Sequence, residues 1–358
     1  MTTIAAVAPV VPPHRHEQAE ITEAFAALVT PDGERAELMR RLHASAGVRQ
    51  RYLAMPLSQY ADLDDFGQAN DTFIEVGLDL GERAVATALE KVGLSGEDVD
   101  VILATSVTGV AAPSLDARLV GRLGLRTDVK RIPVFGLGCV AGAAGIARLH
   151  DHLVGHPDDV AVLLSVELCS LTVQRGDTST ANLVASGLFG DGAAAVVLVG
   201  ERRAAAMGLT GPQVVSTRSR FYPDTERVMG WDVGGSGFTI VLAASVADVV
   251  STHLADDMKG FLADADLSVA DIERWVAHPG GPKVLQAVQA SLGLDDDALA
   301  HAWTSLAEVG NLSSASVLHV LAATLEAQAP PAGAAGVLLA MGPGFCAELV
   351  LLRWPGAS

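Results

Sequence analysis

Apolar and polar positions alternate along this chain in two rhythms. Residues 99–105, 131–135, 160–165 and 194–199 are short, nearly continuous apolar runs, the pattern of strands buried on both faces. Residues 70–92, 115–123 and 141–154 instead carry apolar side chains at helical spacing, and Gly124 closes the second of these stretches. Upstream, residues 1–16 read as a short strand and an extended lead-in around Pro12 and Pro13. Residues 17–46 read as helix, broken at 30–33. Residues 181–188 are helical in pattern, and Gly190-Asp191-Gly192 reads as a turn, which makes Asp191 a turn residue rather than an acid catalyst. Residues 200–230, with Pro212 and Pro223, predict an irregular lobe, and 238–242 a strand. Strand and helix in regular alternation predict an α/β fold.

A repeat underlies this alternation. Leu94-Ser95-x-x-Asp98-Val99 leads into one strand, and Leu267-Ser268-x-x-Asp271-Ile272 leads into another in the same register. Each copy continues through a helix that ends in Leu-Gly-Leu, at 123–125 and 292–294. Each then reaches a glycine-bearing loop, at Gly138-Cys139 and Gly310-Asn311, and closes on a Val-Leu-Leu strand, at 162–165 and 337–340. This predicts a duplicated α/β unit whose two halves pack against each other.

Composition narrows the function. The chain has 358 residues, half of them hydrophobic, with a net charge of −18 and only 4% aromatic residues. Such acidity argues against non-specific binding to nucleic acid or to an anionic membrane. No apolar run is long enough to span a bilayer, so a cytoplasmic protein is expected. Cys139, Cys169 and Cys346 stand far apart with no CxxC, which argues against a cysteine metal site or a disulfide framework.

The repeat concentrates candidate chemistry in one place. Cys139 and Asn311 occupy corresponding helix starts, and His278 lies at a strand end, where α/β sheets place ligands. A thiolate at a helix N-terminus can attack a thioester, with a neighbouring imidazole holding it as an ion pair. An imidazole and an uncharged amide can then hold an oxygen on which negative charge develops. Arg40, Arg41, Arg49 and Arg51 cluster in an otherwise acidic chain, either as a solvated face or as a landing site for phosphates.

Gly138-Cys139, His278-Pro-Gly-Gly281, Gly310-Asn311-Leu-Ser-Ser314 and Gly342-Pro-Gly344-Phe345 together resemble the type III polyketide synthases, the chalcone-synthase-like branch of the thiolase superfamily. The resemblance implies a five-layered αβαβα sandwich, with residues 1–225 forming the half that carries the cysteine and 226–358 the half that carries histidine and asparagine. It also implies a homodimer with no metal or redox cofactor, acting on acyl-CoA and malonyl-CoA. Cys139 would carry the growing chain, while His278 and Asn311 would promote malonyl decarboxylation. Phe189 would be the gatekeeper of the cavity, Arg41, Gly280 and Gly281 would line the CoA tunnel, and Ser313 lies within the asparagine motif. Thr172, Cys169, Trp231, Ile240 and Ala112 fall on cavity positions.

Some positions depart from the family pattern. Ile240 stands where a second gatekeeper phenylalanine is usual, and Leu38 and Ser45 replace two basic CoA contacts, for which Arg40 or Arg49 would compensate. Trp231 in its block resembles bacterial members that make alkylpyrones and alkylresorcinols, and the small Ala112 would leave room for a side tunnel. The expected starter is therefore a long acyl-CoA. A tetrahydroxynaphthalene-type synthase fed by malonyl-CoA alone, suggested by Cys169, is the alternative within the family. An initiating ketoacyl synthase working with a carrier protein and a non-catalytic acyl-CoA binder stand outside it.

Overall fold

The computed structural model describes residues 1–355. The chain opens with β1 (Thr2–Val10), followed by β2 (His14–Glu17), α1 (Gln18–Val29), α2 (Ala36–Ala44) and β3 (Gln50–Leu53). The long helix α3 (Phe66–Glu90) starts at Asp65, whose side chain accepts from the Gln68 N–H and so caps the helix. Then come β4 (Val101–Ser106), α4 (Leu115–Leu123), β5 (Lys130–Phe135), α5 (Ala141–Gly155), β6 (Val160–Leu168), α6 (Thr180–Leu188) and β7 (Asp191–Val199). Along β4, Val101 and Leu103 face one hydrophobic core while Ile102 and Ala104 face another, and β6 and β7 alternate in the same way. These strands are covered on both sides, as their unbroken apolar runs require.

The region expected to be irregular is ordered. It forms α7 (Glu201–Met207) and β8 (Gln213–Phe221), and β8 pairs antiparallel with a later strand. Next come the hairpin β9 (Met229–Gly234) and β10 (Gly237–Leu242), then α8 (Val246–Ala263), β11 (Ile272–Ala277), α9 (Pro282–Leu292), α10 (Ala300–Val309), α11 (Ser316–Glu326), β12 (Ala335–Gly342) and β13 (Cys346–Arg353). The nine main strands run in the order β11-β12-β13-β8-β1-β7-β6-β4-β5. The pairings β1–β7–β6–β4 and β8–β13–β12–β11 have the same sense at every step: antiparallel, antiparallel, parallel. The halves meet where Thr2 and Thr3 of β1 pair with Val214 and Gln213 of β8. By strand pairing β8 sits with the second half, ahead of the boundary expected at residue 225.

The repeat extends to local detail. The Ser95–Asp98 and Ser268–Asp271 segments each form a reciprocal capping box before their strand. Gly124 and Gly293 both end their helices in the left-handed conformation. The copies then diverge: the first adds the edge strand β5 and the second adds α10. Helices α5 and α11 lie between the two half-sheets, with α3 and α4 outside the first and α8 and α9 outside the second. This is the five-layered thiolase-like arrangement. A Cβ at Gly142 of α5 would collide with the Ser314 carbonyl and lie 2.7 Å from Val317, so the small residues after Cys139 let the two central helices meet at their starts.

Candidate active site

Both central helices begin at the same place between the sheets, and both are preceded by a loop that bears a functional side chain. Cys139 sits in a single turn of 3₁₀ helix, 138–140, just before α5. Gly138 there has φ +57°, and a Cβ on it would lie 2.6 Å from Pro343. The Gly342-Pro-Gly344 turn of the second half therefore buttresses the cysteine loop directly. Asn311 follows α10, and its loop is zipped onto the first half: the Asn311 N–H donates to Leu188 O and the Gly190 N–H to Asn311 O, both at 2.9 Å. Phe189 lies between those partners and bridges to Asn311.

The polar contacts draw the three candidates together. Cys139 Sγ donates to Ser313 Oγ at 3.7 Å, and the Ser313 N–H donates to Asn311 Oδ1 at 2.8 Å. Asn311 Nδ2 donates to Gly280 O at 3.4 Å, on the loop that follows His278. His278 is anchored through its N–H to Leu339 O and is only 6% exposed, and neither ring nitrogen has a partner. An imidazole buried with both nitrogens free is poised for a ligand atom rather than for the fold. Ser313 adopts φ +49° although it is not glycine, local strain of the kind that collects at functional sites.

Burial governs the protonation states. It pushes the Cys139 thiol up to about 12, an effect that the hydrogen bonds with Ser313 and Asn311 only partly oppose and that the nearby Glu167 reinforces. Burial also drives His278 down to about 3. Burial thus disfavours charge on either group taken alone and opposes the helix-end stabilisation of a thiolate.

One member of the site escaped sequence reasoning. Glu167, fully buried at the end of β6, accepts from Thr108 Oγ1 at 2.9 Å, from the Val107 N–H at 3.1 Å and from Ser314 Oγ. Ser314 Oγ also meets Ser165 Oγ at 2.6 Å. The carboxyl, its pKa raised by burial, ties β6 and the 106–108 loop to the asparagine loop. Its only signal was a lone acid in an apolar strand.

The cavity candidates separate into two groups. Cys169, Thr172, Phe189, Trp231 and Ile240 line one cleft, floored by Arg51, with Trp231 and Ile240 directly paired across the β9–β10 hairpin. Ala112 lies elsewhere, on an exposed loop. Gly280 and Gly281 open α9, whose Pro282 packs against Gly47 just beyond α2, so these glycines and the α2 arginines border the same region.

The arginine cluster is not a uniform landing site. Arg40 pairs with Glu23 and Arg49 with Glu308, both as solvent-exposed ion pairs. Arg51 is fully buried, donating from Nε to Gln18 at 3.0 Å and from Nη1 to Phe189 O at 2.6 Å. Arg41 alone is exposed and makes no ion pair among the described residues. Asp191 is a correction too. It is wholly buried at the start of β7 and accepts from the Ser170 N–H at 2.8 Å and the Ala54 N–H at 2.6 Å, so it stitches the core rather than turning the chain.

Comparison with known proteins agrees with this geometry. Residues 12–215 match the family model for FAE1/type III polyketide synthase-like proteins, and residues 213–354 that for the C-terminal domain of chalcone and stilbene synthases. The chain is 59% identical to a 1,3,6,8-tetrahydroxynaphthalene synthase of Streptomyces peucetius subsp. caesius, over 99% of this chain and 93% of that protein. It is 35% identical to a putative chalcone synthase of Bacillus subtilis, over 86% of each. The crystal structure of 1,3,6,8-tetrahydroxynaphthalene synthase from Streptomyces coelicolor superimposes with a TM-score of 0.92 at 31% identity, covering 99% of this chain and all of that one.

Proposed function

The chain belongs to the type III polyketide synthase family, and from that premise we propose that it builds 1,3,6,8-tetrahydroxynaphthalene from malonyl-CoA alone. The observation that carries this reading is the 59% identity over nearly the whole chain to a relative of that name. The site is compatible with it. Cys169, Thr172, Phe189, Trp231 and Ile240 line one cleft, where the growing chain would lie. The identity to that relative favours this reading over the long-acyl expectation; Ala112, expected on the wall that a partner subunit contributes, lies on an exposed loop of the single chain.

In the proposed mechanism, the Cys139 proton passes to a free nitrogen of His278 as sulfur attacks the malonyl thioester, so neither buried group is charged alone. CoA leaves and an acyl-enzyme remains. A second malonyl-CoA, its CoA running past Gly280, Gly281 and Arg41, presents its thioester oxygen to His278 and Asn311. Loss of CO₂ places an enolate charge on that oxygen, where the amide and imidazole N–H groups stabilise it. The enolate carbon attacks the Cys139 thioester, and the lengthened chain returns to the cysteine. Four such extensions add eight carbons, and the starter supplies the other two of the ten naphthalene carbons once its own carboxyl is lost as CO₂; the cleft walls, with Phe189 at the entrance, hold the chain in position for the ring closure that releases it from Cys139.

A homodimer is part of the proposal. The edge strand β5 is exposed along most of its length, and Ile132 and Phe135 present apolar side chains on it. An open edge of this kind is suited to a second copy. No helix among the described residues is long and apolar enough to cross a membrane; a cytoplasmic location is part of the same proposal, since malonyl-CoA is the proposed substrate.

The test is mass spectrometry of products made by purified protein from malonyl-CoA alone and with acetyl- to palmitoyl-CoA added. Tetrahydroxynaphthalene formed without a starter, and unchanged when starters are added, is the expected result. Alkylpyrones or alkylresorcinols that form only with acyl starters would refute it.

A further inference from the structure

Two separate stretches of chain line the cleft. Cys169 and Thr172 come from the segment that follows β6, and Trp231 and Ile240 from the β9–β10 hairpin. The hairpin is a two-stranded sheet of its own, apart from the nine-stranded sheet. Two strands alone are marginally stable in water, so this wall depends on what anchors it from outside. Two anchors lie at its turn and on β10. Phe238 is buried and meets Phe66, the first residue of α3, edge to face with ring centroids 5.3 Å apart. Gln174 Nε2 donates to the carbonyls of Ser236 and Phe238, each at 3.1 Å. Among the described residues, these are the only hydrogen bonds that join residues 229–242 to chain outside 225–243. We propose that Gln174 is a positioning residue that determines specificity: its amide latches the Trp231–Ile240 wall to the Cys169–Thr172 segment and so sets the width of the cleft in which the growing chain folds.

The residue type suits this role. A primary amide has two N–H donors and no charge, so one side chain serves two carbonyls without burying an ion. The same nitrogen lies 3.3 Å from the Thr172 carbonyl, which places the latch against the segment that lines the cleft. Gln174 is itself held, because the buried Asn182 of α6 donates from Nδ2 to Gln174 O at 3.0 Å. Phe238 and Ile240 stand two residues apart and share a face of the hairpin. Seating Phe238 therefore seats Ile240, and with it Trp231, its cross-strand partner. Gln174 is not among the residues that line the cleft, so it acts through those that do.

This inference rests on the polyketide-forming reading of the site, and the experiment keeps the two apart. Parental enzyme is compared with Gln174→Leu, which keeps bulk and removes both donors, and with Gln174→Glu, which keeps the shape. Products from malonyl-CoA are quantified by mass spectrometry, malonyl-CoA decarboxylation is measured separately, and hydrogen exchange follows the amides of 229–242. In Gln174→Leu the ratio of full-length product to shorter pyrones should fall about tenfold or more. Such pyrones form when an enol oxygen of a shorter chain attacks the Cys139 thioester and displaces the thiol. Decarboxylation should stay within about threefold of the parental rate, because His278 and Asn311 are untouched. Exchange should quicken in the hairpin and not in α5 or α11. Gln174→Glu should match Gln174→Leu near pH 8 and regain part of the parental ratio near pH 6, where a buried carboxyl takes up a proton and recovers one donor. An unchanged product ratio or unchanged hairpin exchange in Gln174→Leu would overturn the proposal. So would loss of decarboxylation, condensation and folded protein together, which would make the residue purely structural. The ratio is taken on the parental enzyme's own longest product, so a product other than tetrahydroxynaphthalene would refute the product reading alone.

Discussion

The loops ahead of the two central helices are built to one plan and equipped differently. Each contains a left-handed glycine, Gly138 at φ +57° and Gly310 at φ +74°, and each passes through one 3₁₀ turn into a buried helix. After Cys139 come Ala141, Gly142 and Ala143, a surface with no side-chain hydrogen bonding of its own. After Asn311 come Ser313, Ser314 and Ser316, all buried and all hydrogen-bonded, with Glu167 behind them. A nucleophile needs space and a close partner helix, whereas a residue that must hold an oxygen in place needs its own orientation fixed by neighbours. Duplication supplied two equivalent positions, and in the proposed mechanism the difference in polarity divides the labour between them.

Removing each functional group in turn breaks that comparison most sharply. Cys139→Ala should lower polyketide formation by a factor of about 10⁴ or more, since the thiol at the start of α5 that would carry the chain is gone. Slow conversion of malonyl-CoA to acetyl-CoA should survive, because the oxygen-holding groups remain. Asn311→Leu should do the reverse, cutting decarboxylation and condensation together by about 10²–10³. Product and acetyl-CoA yields from the two variants, measured side by side, check the division. An Asn311→Leu enzyme that still decarboxylated at the parental rate would end it.

Exchanging the packing character of the loops gives a smaller effect. Gly142→Ala drives a methyl group into the Ser314 carbonyl and should destabilise the fold by about 1–3 kcal/mol through overpacking. Ser314→Ala strips Glu167 of one donor and should cost a similar 1–3 kcal/mol through an unsatisfied buried acceptor. The first should leave the kinetics of the folded fraction largely intact. The second should lower kcat, because the asparagine loop loses its tether. Urea unfolding alongside steady-state rates separates the two, and equal kinetic loss in both variants would mean that the loops are not specialised.

The contrast also explains what could be read from the sequence. The strands near 101–106 and 160–168 were legible because burial on both faces leaves unbroken apolar runs, and helix 115–123 by its helical spacing, whereas the apolar run at 130–135, read as a buried strand, is an edge strand exposed along most of its length. Cys139, His278 and Asn311 were legible because the repeat marks equivalent positions. Strand β8 was not, because Ser216, Thr217, Arg218, Ser219 and Arg220 give it a polar surface and only its pairing with β13 makes it a strand. Glu167, Arg51 and Asp191 were missed or misjudged because charge usually signals exposure. These three are fully buried, and only three-dimensional neighbours reveal their partners.

The least dramatic test concerns acid, and it sets the free imidazole of His278 against two partnered ones. His43 bonds Thr22 and Ser186, His319 bonds the Ala193 carbonyl, and His278 bonds nothing. Burial nevertheless lowers all three, His43 and His319 to about 4 and His278 to about 3. In the unfolded chain each titrates near 6.5. Below that pH the unfolded state takes up protons that the fold refuses, so stability present at neutral pH is lost as pH falls from about 6.5 towards 4. Asp191, raised by burial to about 6, acts with the opposite sign between about 4 and 6, because there the fold keeps a proton that the unfolded chain releases. Glu167, whose carboxyl burial also raises, acts in the same sense as Asp191, so the three histidines, about 2 kcal/mol each between pH 7 and 5, are partly offset and the net loss should be a few kcal/mol. Urea unfolding across that range should show stability rising with pH, and His319→Gln should flatten the slope by about one proton. Over the same range kcat/KM should show no protonation of His278, so an acid limb near 6.5 in fully folded enzyme, lost in His278→Gln, would contradict a buried neutral imidazole and restore the ion pair with Cys139.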